Sequence, residues 1–185
     1  MNLCNYTPQE NEFFCEDELI EIQPNFRGDR LEFISGTFGP FKPAKPVRVP
    51  LWLAIYLKQR QKCQVQVPVW MDPTFMNKVK AEEREQAQLF SDALPYHYYE
   101  VACLLLNECP DEFENSKQVK SLVEDLYEIR REKLMRIMKK IDADTPVLFL
   151  SMAGSAELNY CRPAFTSAFS IVNKMQNVLT ESQGQ

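Results

Sequence analysis

Over residues 116–142 apolar side chains return every third or fourth position, with Val119, Leu122, Val123, Leu126, Ile129, Leu134, Ile137 and Ile141 on one stripe. A stripe of roughly seven helical turns must be covered along its whole length, and other helices are what cover it. A helical bundle is therefore expected. MDPTFMNKVKAEEREQAQLF supplies one partner, with Asp72 as N-cap, Pro73 at the first helical position, and Phe75, Met76 and Val79 ahead of a charged run. LPYHYYEVACLLLNEC opens at Pro95 and sets Tyr98, Val101, Ala102 and Leu105 on one face. RPAFTSAFSIVNKMQNVL opens at Pro163 and presents Phe165, Ala168, Phe169, Val172 and Met175 as a stripe. Residues 181–185 are expected to fray.

The first third of the chain has another period. ELIEIQP and RLEFIS alternate apolar and acidic positions, the second placing Leu31 and Phe33 opposite Glu32. PNFRGD between them is rich in turn formers, which predicts a hairpin. SGTFGPFKPAKPVRVP holds two glycines and four prolines, too many for a central strand. It is expected to run as an irregular connection ending in a short extended VRV. The fold class is α+β and mainly α. Residues 1–62 form a small β-rich domain ending in a short buried helix, and residues 63–180 form the helical bundle.

That short helix is PLWLAIYLKQRQ, with Pro50 where a helix can begin and the cations Lys58, Arg60 and Lys62 at its C-terminal end, where the macrodipole favours them. Leu51 to Leu57 are seven consecutive apolar side chains, so the helix needs cover on every side. Some sixty residues of β structure shield only part of it. Both the bundle and another chain are expected to supply the rest.

Chemistry is scarce. His97 is the one histidine in 185 residues and sits among aromatic neighbours, so acid–base or thiol catalysis would depend on it alone. The six cysteines, at 4, 15, 63, 103, 109 and 161, form no Cys-x-x-Cys pair and no disulfide rhythm. Reduced thiols and no metal site are expected, and Gly36 and Gly39 fit a turn rather than a phosphate cradle. No apolar run approaches the ~18–20 residues of a membrane span. The acidic, unbasic N-terminal stretch predicts no secretory signal. A net charge of −5 and a pI of 5.1 argue against a chain whose whole surface embraces nucleic acid. One local cluster stands apart: RREKLMRIMKK sets Arg130, Arg131, Lys133, Arg136, Lys139 and Lys140 against Glu132 alone. It reads either as a helix C-terminus complementing its dipole or as a contact with an acidic protein or nucleic acid.

LIEIQPNF, GTFGPFKPAKPVRVPLWLAIYLKQRQKC and PVWM, in that order and spacing, resemble the second subunit of the eukaryotic GINS complex, the Psf-two family. Residues 18–71 carry the resemblance. The helical remainder fits in length and helix number, while nothing is carried to residues 1–12 or 142–156. The resemblance implies a heterotetramer of four related subunits, each with a helical and a small β domain. The β domain comes first in the second and third subunits, which agrees with the order here. It further implies a nuclear, non-catalytic scaffold without cofactors, acting in initiation and elongation of DNA replication. Its partners would be three other GINS subunits, the minichromosome-maintenance ATPase ring and the Cdc-forty-five-type factor, with no membrane contact. On that reading Leu51, Trp52, Ile55, Tyr56, Val119, Leu122, Leu126, Phe165 and Phe169 are candidate core or interface anchors. Lys58, Arg60, Lys62, Arg130, Arg131 and Arg136 are candidate partner-contact cations. The rival reading is a stand-alone nucleic-acid-binding module using Arg130 to Lys140.

Overall fold

The computed structural model describes residues 6–86, 89–139, 152–167 and 170. The chain opens with helix α1 (Pro8–Cys15), where the sequence reading expected only β structure. Thr7 accepts from the Glu10 backbone N–H at 3.2 Å, and the Glu10 carboxylate accepts from the Thr7 N–H at 2.7 Å. This capping box, with Pro8 behind it, starts a helix that has little amphipathic pattern of its own.

Strand β1 (Leu19–Pro24) is the centre of a three-stranded antiparallel sheet, flanked by β4 (Val47–Pro50) and β5 (Cys63–Val65). The expected hairpin from β1 into β2 (Leu31–Phe33) does not form. Gly28 instead exchanges backbone hydrogen bonds with Phe41, at 3.0 and 2.9 Å, so the chain leaves the sheet there. β2 then pairs with β3 (Gly36–Phe38), a strand inside the Gly/Pro-rich connection. The two residues between Phe33 and Gly36 make the turn, and Gly36 takes φ 142°, which side-chain-bearing residues avoid. A three-residue strand with one neighbour cannot reach the core, so Leu31 and Phe33 remain exposed rather than facing inward. β5 lies past residue 62, so the sheet continues beyond the end expected for the β-rich unit.

Helix α2 (Leu51–Gln59) begins directly after β4. Pro50 precedes it with φ −58° and ψ 148° and offers no side-chain cap, so it closes the strand rather than forming the first helical turn. Backbone carbonyls of the α1–β1 connection cap the helix instead: Leu51 N–H donates to Glu18 at 2.9 Å and Trp52 N–H to Glu16 at 3.1 Å. At the other end Gln61 adopts φ 57°, Lys62 N–H returns to Leu57 at 2.9 Å, and Gln61 N–H to Lys58 at 2.8 Å. This is a Schellman closure with glutamine where glycine fits best. Gln61→Gly is expected to raise stability by about 0.5–1 kcal/mol, read as a higher urea midpoint at unchanged m.

The bundle follows: α3 (Pro73–Glu85), α4 (Tyr98–Glu108), α5 (Ser116–Met138) and α6, helical over residues 155–167. Asp72 caps α3 through Thr74 and Phe75 N–H, and Pro73 is the first helical residue. α6 starts eight residues before Pro163, which sits inside the helix instead of opening it. Gly154 heads α6, with its N–H donating to the Glu157 carboxylate at 2.7 Å. One apolar core runs from Ile20 and Ile22 of β1 through Leu51, Leu53, Ala54 and Leu57 of α2 to Leu105 of α4 and Val119 and Val123 of α5.

Candidate functional site

The basic cluster of α5 is largely an interior feature. Arg130 is 1% exposed, and its guanidinium meets acceptors from three directions. Nε donates to Glu157 at 2.7 Å, Nη1 to Glu83 at 2.7 Å, and Nη2 to the Met152 carbonyl at 2.5 Å. Tyr98 Oη donates to the same Glu157 at 2.6 Å, and Lys133 pairs with Glu83 and donates to the Leu89 carbonyl at 3.0 Å. Two carboxylates and two cations therefore neutralise each other among α3, α5 and the start of α6. Burial opposes the charge of Arg130, yet Glu157 and Glu83 hold its pKa above the ordinary value.

Arg131 and Arg136 pair locally at the surface, and Lys139 is exposed. Arg131 bridges Glu128 at 3.1 Å and lies over the Tyr160 ring, while Arg136 bridges Glu132 at 3.2 Å across one turn. Lys140 lies outside the described residues. Arg130 is thus corrected from a partner-contact cation to a core residue, and Lys133 joins it there, which takes two of the six cations out of any exposed face. At the basic end of α2 Lys58 is corrected too. Lys58 pairs with Glu112 at 2.5 Å, joining α2 to the 3₁₀ turn Pro110–Glu112, and that partner raises its pKa. Arg60 lies over the Tyr56 ring at 4.3 Å, and Lys62 is exposed.

Two aromatic surfaces stay open. On one, Ile34 stands fully exposed at the β2–β3 tip, Phe33 meets the half-buried Trp52 edge-to-face at 5.1 Å, and Tyr56 is exposed beside them. On the other, Phe13 and Phe14 of α1 face outward next to Tyr6. Catalytic chemistry has little to stand on. No group of three metal-ligating side chains occurs among the described residues. Burial lowers the His97 pKa against the opposing pull of Glu18, and burial pushes the Cys15 thiol up to about 12 and Cys63 and Cys109 to about 11. Their thiolate fraction at pH 8 is then on the order of one in a thousand or less. Maleimide is expected to label these three about 100-fold more slowly than free cysteine until the chain is unfolded, as peptide mapping would show.

Residues 7–66 match the family described as PSF2 N-terminal domain, and residues 70–176 match the GINS complex protein helical bundle domain. The chain belongs to the PSF2 family of GINS proteins. It is 44% identical to the human DNA replication complex GINS protein PSF2 over 125 residues, 68% of this chain and 67% of that protein. The Schizosaccharomyces pombe DNA replication complex GINS protein psf2 is 32% identical over 179 residues, 97% of this chain and 94% of that one. A probable PSF2 of Drosophila melanogaster is 31% identical over 173 residues, covering 93% and 85% of the two chains.

In this PSF2-family chain the expected anchors separate by burial. Leu51, Val119, Leu122 and Leu126 lie in the core, Trp52, Ile55 and Phe165 are half-buried, and Tyr56 is 48% exposed. Phe169 lies outside the described residues. The expectation that α2 needs cover all round is therefore met by this chain only in part: Leu51, Leu53, Ala54 and Leu57 are covered, and Tyr56 is where cover is lacking. Sequence reasoning missed Glu83 and Glu157, whose burial no period discloses because they lie 47 and 27 residues from Arg130, and it read Lys133 only as one of a charged stretch. It also missed α1, although Thr-Pro-Gln-Glu at residues 7–10 spells the capping box.

Proposed function

We propose that this chain is a non-catalytic structural subunit of a GINS complex in DNA replication, working in the nucleus beside three other GINS subunits. The observation that carries this is the match of both halves of the chain, in order, to the two domains of the family. The open aromatic surfaces at Phe33, Ile34, Trp52 and Tyr56 and at Phe13 and Phe14 support it, because such patches on a lone chain favour association. The GINS complex would in turn join the minichromosome-maintenance ATPase ring and the Cdc-forty-five-type factor, with Arg60, Lys62, Arg131 and Arg136 as the candidate cations that keep exposure to meet an acidic partner. ATP hydrolysis would belong to the ring.

Co-expression of the tagged chain with the three other subunits, followed by native mass measurement, tests the reading. The expected result is one copy of each subunit and poor solubility of the chain made alone. A monodisperse chain at micromolar concentration that recruits no subunit would overturn it. With the tetramer in hand, reversing Arg60 and Lys62 to Glu should leave assembly intact and weaken ring or factor binding most at low salt.

A further inference from the structure

β1 leaves the three-stranded sheet at the end where β4 and β5 enter it, since Ile22 pairs with Val47 and Pro24 with Cys63. Three connections therefore crowd one end of the sheet. Backbone hydrogen bonds fasten them together: Ala44 N–H donates to Pro24 at 3.1 Å, Asn25 N–H to Lys62 at 2.9 Å, and Gly28 and Phe41 exchange two. Each connection brings exposed cations, Arg27 after β1, Lys42 and Lys45 before β4, and Arg60 and Lys62 before β5. Arg27 and Lys42 line one open hollow of about 770 Å³, with Asp29 as the single acid among its described lining residues. At the opposite end of the sheet the α1–β1 connection is Glu16, Asp17 and Glu18, so the two ends differ in sign. The chain holds 26 acids against 21 lysines and arginines, and cations elsewhere take acidic partners, as Lys58, Lys80 and Arg131 do. None of the five at this end forms an ion pair among the described residues. Charges kept only for solubility are interspersed in sign, whereas these gather from three separate segments. Ala44 (φ 62°) and Gln61 (φ 57°) stand immediately before Lys45 and Lys62, and left-handed backbone at side-chain-bearing residues clusters at binding sites.

Such a patch calls for an anion. Phe41, the one aromatic residue lining the hollow, is 1% exposed, so no ring is offered for a nucleic-acid base to stack on. With a net charge of −5 the chain repels a long polyanion, while a short acidic segment meets only what lies within a Debye length of about 8 Å. We propose that this end of the sheet is a docking surface for a short acidic peptide segment of another protein, held by Arg27, Lys42, Lys45, Arg60 and Lys62. It deepens the reading that gives Arg60 and Lys62 an acidic partner, resting on it for two of the five cations.

Fluorescence anisotropy of a labelled octaglutamate peptide, titrated with the assembled complex, tests this. Binding should be saturable and should fade between about 50 and 300 mM salt. Arg27→Glu with Lys42→Glu should weaken it about tenfold. Lys117→Glu with Lys120→Glu, an exposed pair on α5, alters net charge equally and should leave binding unchanged. Single-stranded oligothymidylate of the same length should bind more weakly than the peptide. Absence of saturable binding would overturn the proposal, as would equal losses in the two reversed pairs, which would make the contact a matter of net charge. Tighter binding of oligothymidylate would assign the patch to nucleic acid. A complex mass that doubles with concentration until Arg27 and Lys42 are reversed would assign it to a second copy, and either result overturns the proposal. If the reversed patch lowers the melting temperature, Arg27→Gln with Lys42→Gln replaces it: about threefold weaker binding is expected, and unchanged binding overturns the proposal. If no complex assembles, the subunit reading fails, and the same titration on the full chain decides the patch by itself.

Discussion

Arg130→Met is expected to destabilise the chain by about 3–5 kcal/mol, among the largest effects of any single substitution. The methionine fills much of the volume, so the cost is electrostatic: the carboxylates of Glu83 and Glu157, each wholly buried, lose their common partner. Arg130→Lys should recover little of it, because one ammonium cannot reach Glu83, Glu157 and the Met152 carbonyl together. Adding Glu157→Gln to Arg130→Met should return a large part of the loss by removing the carboxylate left without a cation, since Glu83 keeps Lys133. Denaturation of the assembled protein, with chain unfolding followed by circular dichroism, reads all three variants. An Arg130→Met protein that melts like wild type would mean that the network is not closed in solution.

Leu51→Ala should cost about 2–5 kcal/mol in fold stability, since Leu51 is fully buried where α2, the sheet and α4 meet and its truncation leaves a cavity. Tyr56→Ala, five positions on in the same helix, should cost the chain itself under about 1 kcal/mol, because the ring is 48% exposed and chiefly backs Arg60. Its effect is expected on association, as faster loss of a partner from the complex. Opposite results, with Tyr56→Ala unfolding the chain and Leu51→Ala sparing it, would assign the helix faces the other way round.

Much of the architecture was legible because it is written locally. The stripe of α5 and the Asp72–Pro73 start of α3 follow from neighbours three or four residues apart, and both stand as expected. Strand pairing is not local. β1 finds its partners 25 to 43 residues downstream by what its burial pattern needs, and no turn signal beside it reveals that choice. The basic cluster misled for a related reason. Six cations in one stretch look like a charged face, yet Arg130 and Lys133 fall on the inner side of α5, and their acids come from α3 and α6. Pro163 misled because proline is tolerated in a first turn far more often than in a helix interior, where α6 nevertheless holds it.

The Asn159 side chain donates to the Tyr6 carbonyl across 153 positions of sequence, and α1 packs on α4. On a ribosome adding about 5–20 residues per second, the first helix therefore emerges on the order of ten to thirty seconds before the last of its neighbours exists. During that interval α4 is already there for α1 to rest on, but the Tyr6 carbonyl still lacks its Asn159 donor. Translation order thus makes α6 the last fastening of α1 to the bundle, while Phe13 and Phe14 stay open for another protein before and after it.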